Sequence, residues 1–409
     1  MKASSFTHLF TYSTIALLIG LLAGEKYPAV LSISMLVNLL SLIGLCFYVD
    51  FKKVIWNEKG FLLLSASVIG LLVNYLYSDN FSYLNQRLQI KLPIFIYALL
   101  WPVALIVKVQ LKDKIGIGVI VAATISATGI LINYALHFDE VNQMYLESKI
   151  MPGPIHHIRF SLFTVFAVYL CYYYWKKFKS FNNKFYQYFL YAGVFLIIFL
   201  HIYSVRSGLL TLYLVILLCM FNFLYQTKNI KKFFISGLVL TLIAAASFLL
   251  SPTLRNKVTN TKEDIAVYQA KANPNFQSIA TRFASYETGL ALFKRSPIWG
   301  VGLGDLQDEN TKLFRLNYPS IVTPIIPHNQ FLFYLAATGL IGFFIFTITF
   351  LAPLFINKRY KSELIQVAYF ILLVAFQFEA MLETQIGIAT TVIILFISFL
   401  VQKSEPAKV

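Results

Sequence analysis

Long apolar runs separated by short polar turns set the plan of this chain. Twelve stretches, near 9–24, 28–49, 61–77, 92–107, 115–136, 158–175, 185–204, 207–225, 233–250, 328–356, 363–380 and 385–401, are nearly free of charged residues. Crossing the hydrocarbon core takes about 17–25 residues of helix, and a backbone in lipid must satisfy its own hydrogen bonds. The pattern therefore predicts an all-α fold, a polytopic membrane helical bundle of about 12 transmembrane helices. Its parts form one membrane domain: spans one to nine over 1–250, a polar excursion over 251–327, and spans ten to twelve with a short tail over 328–409. The first run lacks an A-x-A cleavage pattern and a second run follows at once, so it reads as a retained span and not as a secretory signal.

The excursion over 251–327 is too long for a simple turn, and loops of that size are usually functional or disordered. Within it Ile279, Phe283, Tyr286, Leu290 and Phe293 recur at helical spacing, which predicts an amphipathic helix lying on or over the membrane. Ser296-Pro297 ends that helix. The glycines of GVGLGD, 300–305, follow. Alternating glycines can bring backbone N–H groups to a phosphate, but no strand-to-helix context supports a dinucleotide site. A flexible hinge is the reading preferred here.

Composition agrees with the hydropathy pattern: 58% of residues are hydrophobic, 13% are charged, and the mean hydropathy is +0.70. Charge adds sidedness, because loops that stay in the cytoplasm retain Lys and Arg. Lys52, Lys53, Lys59, Lys108, Lys112, Lys114, Lys176, Lys177, Lys179, Lys184, Lys228, Lys231, Lys232, Lys358, Arg359 and Lys361 all fall in alternate loops. The other loops are poor in cations, apart from the long excursion, and hold Glu25, Asp79, Asp139, Glu140 and Glu147. Both termini are thus expected inside the cell, with the excursion extracytoplasmic. The net charge of +16 reads as anchoring to anionic membrane lipids, and the dispersed cations call for no nucleic acid. Cys46, Cys171 and Cys219 lie in apolar runs, as core residues and not a disulfide framework.

Ionisable groups at the outer ends of spans are costly there and become candidates for function. Arg206 stands between two apolar runs, on the side that the charge bias disfavours; simple snorkelling is its alternative. Arg87 and Lys91 are four residues apart, so a helical start to span four would put both on one face. Arg159 follows His156 and His157 at another outer entrance, and Arg282 sits on the amphipathic helix. Arginine presents a planar fork of donors suited to phosphate oxygens, so these cations suggest an anionic, lipid-linked ligand, with diphosphate the natural candidate. His328 opens span ten, either as an interfacial hydrogen bonder or as a proton acceptor with a suitable pKa. Asn329 is placed to orient it or to contact sugar hydroxyls. Glu379 and Glu383, on one helix face if span eleven continues, read first as counter-ions to the arginines and second as an acid/base pair. The scattered histidines argue for no metal site.

Together these residues resemble the O-antigen ligase superfamily of polytopic bacterial membrane glycosyltransferases. His328-Asn329, with Gly339 and Gly342 beyond, is similar to the family's histidine motif at the span after its large periplasmic loop. Arg206 with Leu210 resembles its Arg-x-x-x-Leu element, and the passage from Arg282 through SPIWGVGLGD resembles the approach to that histidine. The resemblance implies transfer of a glycan from undecaprenyl diphosphate to a hydroxyl acceptor, such as lipid A–core, at the outer face of the inner membrane, without metal or other cofactor. It also implies catalytic roles for His328, as general base, and Arg206. Arg87, Lys91, Arg159, Arg282, His157, Asn329 and Glu383 would line the substrate site, and attack opposite the leaving group would invert the anomeric centre. O-antigen polymerase and protein O-oligosaccharyltransferase stay open as readings within the superfamily. A transporter or flippase of an anionic lipid is the reading from a different class; it calls for inverted repeats and midplane charges, which the sequence does not display.

Overall fold

The computed structural model describes residues 3–105, 109–147, 149–181, 184–269 and 278–402. All the regular elements among them are helices. In chain order, α1 (Ala3–Ala23) and α2 (Pro28–Cys46) form a hairpin, and α3 (Phe51–Asn57) leads into a broken span of α4 (Lys59–Ala66), α5 (Val68–Leu72) and a 3-10 turn at Val73–Leu76. Next come α6 (Phe81–Ala104), α7 (Val109–Leu136), the short α8 (Phe138–Leu146), α9 (His157–Ser180), α10 (Tyr186–Tyr203), α11 (Arg206–Thr227) and α12 (Ile230–Leu250). The polar excursion folds into α13 (Pro252–Gln269), α14 (Ser278–Arg295) and α15 (Leu306–Asn317). The chain returns through α16 (Gln330–Phe355), α17 (Glu363–Phe378) and α18 (Gln385–Gln402).

Ten helical stretches are long and apolar enough to cross a membrane, including the broken one at Lys59–Leu76. The two remaining expected spans are helices as well. Tyrosines and lysines lower the hydropathy of α9, and α17 stops at 16 residues. The polytopic helical bundle is therefore as expected. Span four starts earlier than its apolarity suggests: the Asn80 side chain accepts the Tyr83 N–H at 3.0 Å, capping a helix that takes in Arg87 and Lys91.

The interior is built around α9 and α18, the latter buried continuously from Gly387 to Val401. By contrast α12 has no buried residue. Lipid gives helices no apolar drive to associate, so polar contacts hold them in register. Asn38 of α2 does this by donating to Ser13 and Thr14 of α1, at 3.0 and 2.9 Å.

The helix expected in the excursion is α14. The face that packs against protein is not its Phe283–Leu290 stripe, which stays exposed at Phe283 and Leu290, but the one beside it, where Ala280, Ala284, Thr288, Gly289 and Leu292 are buried. Small residues win because α14 lies close on α16: a Cβ at Gly289 would come within 2.8 Å of Pro327 and 3.0 Å of Leu332. Nor are the GVGLGD glycines a hinge. Helix α16 breaks at Gly339, whose φ is 61°, and the loop repairs the break. Val301 and Gly302 donate to the carbonyls of Ala336 and Ala337, both at 2.9 Å, while Leu340 donates to Pro297 at 2.8 Å. Gly300, at φ 75°, lies so close that a Cβ would meet the Ala337 backbone at 2.4 Å. The loop is a backbone bracket that clamps the excursion onto the helix headed by His328.

Candidate functional site

Helices α9 and α11 begin side by side, with His157 and Arg206 as their first residues. Helix N-termini carry unpaired N–H groups and a positive dipole end, a setting that favours anions. Over them lie α13 and α14. His157, Arg206, Ser207, Lys257 and Arg282, with apolar neighbours, line a small cleft open to solvent. Among the described residues, three basic side chains thus meet there. The carboxylate placed among them is Asp264, only 1% exposed, at 3.4 Å from the Arg206 guanidinium.

Lys257 was not foreseen. Its side chain belongs to a buried polar stripe on α13, formed by Thr253, Lys257, Asn260 and Asp264. These residues recur with the period of a helix face, which was the available signal; polar periodicity in a hydrophilic segment went unread. Thr253 donates to the Ile202 carbonyl at 2.6 Å, and Asn260 to that of Tyr145, so the stripe is pinned to α10 and α8. Burial pushes the Lys257 ammonium down to about 8, with Arg206 adding to the shift, Asp264 opposing it and Arg282 adding again.

His328 is held from the same helix that carries Arg282. One turn beyond Arg282, Ser285 accepts the His328 N–H at 3.2 Å, and Tyr286 donates to the His328 carbonyl at 3.3 Å. The ring is partly exposed, with Nδ1 at 3.0 Å from the Ile326 carbonyl. A carbonyl only accepts, so a neutral imidazole in this contact bears its proton on Nδ1 and leaves Nε2 as the basic atom. Asn329 caps α16: its side-chain oxygen accepts from Phe331 and Leu332 at 2.9 and 3.0 Å, and its amide donates to Gln377 at 3.3 Å. Both ends of that side chain are engaged within the protein, not directed at the ring of His328.

The remaining predicted cations, Arg87, Lys91 and Arg159, are each held by a carboxylate. Arg87 and Lys91 do share a face of α6, and both are tied to Glu383: Lys91 by a close ion pair at 1% exposure, Arg87 through the Glu383 carbonyl at 3.0 Å. Gln330 donates to the other Glu383 oxygen at 3.0 Å. Arg159 pairs with Glu379 at 2.7 Å, and both are nearly buried. The expectation that Lys91 binds substrate is corrected: its ammonium is sealed against Glu383. The one-face geometry expected for Glu379 and Glu383 also fails, because α17 ends at Phe378 and Glu379 is extended. Their first reading, as counter-ions, matches the contacts. Burial lowers the pKa of His156, which stacks on His157; Glu379 opposes the shift and Arg159 adds to it.

Fold and site together define a polytopic helical membrane protein with a cation-rich cleft and an oriented histidine at one end of its bundle. Residues 191–347, from α10 through the glycine bracket to the middle of α16, match the family model described as O-antigen ligase. That segment, less than half of the chain, is similar to the O-antigen ligase family. A protein of Haemophilus influenzae described as uncharacterized is 29% identical over 143 residues. The match covers 32% of this chain and 34% of that relative, about a third of each.

Proposed function

We propose that the protein is an inverting glycosyltransferase of the O-antigen ligase type, moving a glycan from undecaprenyl diphosphate to a hydroxyl of lipid A–core. The observation that carries the reading is the cleft itself, three cations to one carboxylate among the described residues, together with a histidine held through the same helix and bound at Nδ1 to a backbone carbonyl. A glycosyl diphosphate is already activated, so the protein needs to stabilise departing charge and deprotonate the nucleophile. His328 Nε2 takes the acceptor proton as its oxygen bonds to the anomeric carbon. The bond from that carbon to the diphosphate oxygen breaks, and its electron pair leaves with the phosphate, facing Arg206 and Arg282. The donor's place in the membrane explains why the cleft lies at helix ends and not in mid-bilayer.

The lysine distribution supports a reading in which this end faces the periplasm across the inner membrane and both chain ends are cytoplasmic. Ion pairs at the opposite helix ends, Lys177 with Asp113 and Arg359 with Glu58, accord with that orientation.

The test is His328→Ala in purified, detergent-solubilised protein supplied with a lipid-linked glycan and lipid A–core. Transfer should drop by a factor of about 100 or more while diphosphate binding persists. Normal transfer by the variant removes the base from the mechanism. Product that grows on the lipid-linked glycan and never on lipid A–core identifies a polymerase instead.

A further inference from the structure

We infer that Lys257, on α13 of the polar excursion, is a direct ligand of the diphosphate and the member of the cleft whose charge sets the pH range of donor binding. This rests on the function proposed above. The argument is one of unbalanced burial. Lys257 is 4% exposed, lines the cleft with Arg206, Arg282 and His157, and feels Asp264 only electrostatically, while Arg206 pairs with that carboxylate. One carboxylate cannot neutralise three cations, and a buried charge without a partner is costly. In a purely structural cluster the third cation would be a liability; with a dianion in the cleft it acquires a partner.

The sign of that liability can be worked out. The ammonium titrates at about 8 against an ordinary 10.5. As pH falls from about 10.5 toward 8, the unfolded chain takes up the proton first, so the penalty on the fold is fully present below about 8 and relieved above about 10.5. A bound dianion reverses this by favouring the charged form. Histidines and the last ionisation of a phosphate monoester ordinarily titrate below this window. Among elements packed on α13, α8 contributes Tyr145 and α10 contributes Tyr203, which are hydrogen-bonded to each other through the Tyr145 hydroxyl and the Tyr203 carbonyl at 2.7 Å.

The experiment measures binding of geranyl diphosphate and of inorganic diphosphate to the full chain in detergent, together with melting temperature, for wild type, Lys257→Met, Lys257→Arg and Arg206→Ala. Wild-type affinity for geranyl diphosphate should fall roughly tenfold between pH 7 and 9, as Lys257 loses its proton. Lys257→Met should bind roughly ten- to a hundredfold more weakly at pH 7, with no pH dependence, yet melt at a higher temperature without ligand. Lys257→Arg should stay tight and flat to pH 9, since Arg keeps its charge. Inorganic diphosphate competing fully shows that the phosphates alone are read; weak competition adds the lipid tail to the recognition. Lower melting of Lys257→Met with unchanged binding overturns the inference and makes the residue structural. If Arg206→Ala also binds normally, the cleft reading itself fails; if only Lys257→Met binds normally, this inference alone does.

Discussion

Two cationic clusters stand at the same end of this bundle, and they are built on opposite principles. Arg87, Lys91 and Arg159 meet Glu383 and Glu379 almost charge for charge, with Gln330 completing the hydrogen bonding. Arg206, Lys257 and Arg282 line an open cleft in which Asp264 pairs with Arg206. The first arrangement closes on itself and ties α6, α9 and α16 to the segment after α17. The second is left with positive charge to spare. Charge at a membrane boundary is therefore no sufficient sign of a ligand site; the balance of partners around it discriminates.

Breaking the closed cluster should have the largest effect. Glu383→Ala strands the buried Lys91 ammonium, a change that costs about 3–5 kcal/mol, and the variant should show a large drop in melting temperature. Adding Lys91→Met to Glu383→Gln should recover most of that loss, because a buried ion pair replaced by neutral groups is often close to neutral. Failure of the rescue would mean that Glu383 serves something besides the pair. Diphosphate affinity should be unchanged in the rescued protein.

Asp264→Asn probes the open cluster and should move stability and binding in opposite directions. Removing that carboxylate leaves the cations facing one another, at a cost of about 2 kcal/mol. The same change should tighten geranyl diphosphate binding severalfold, since the ligand no longer competes with a resident anion. Weaker binding in Asp264→Asn would show that Asp264 positions Arg206 for the ligand and does not merely balance it.

Much of this contrast was invisible in the sequence. Apolar runs announce the helices because lipid demands them, and Arg206 and Arg282, 76 positions apart, announce a cleft only through a family likeness. Lys257 went unread because its neighbours are polar, and a buried polar stripe looks like a solvated face until the partner helix is known. Glycines at 300 and 302 suggested a hinge, since local sequence cannot show that their backbone mends a break at Gly339. Pairings such as Arg159 with Glu379 span 220 residues, and only folding decides which cation finds an acid.

The smallest expected effect tests whether the distinction between engaged and open groups extends to neutral side chains. Asn329 sits next to the proposed base, yet its oxygen caps α16 and its amide reaches Gln377. Asn329→Ala should cost about 1 kcal/mol of stability, and Asn329→Ser only a few tenths, because serine caps nearly as well. Transfer rates measured on folded protein should stay near wild type in both. A serine variant that melts normally but transfers poorly would mark the amide as a sugar contact, and its hydrogen bond to Gln377 would then be exchanged for one to the glycan.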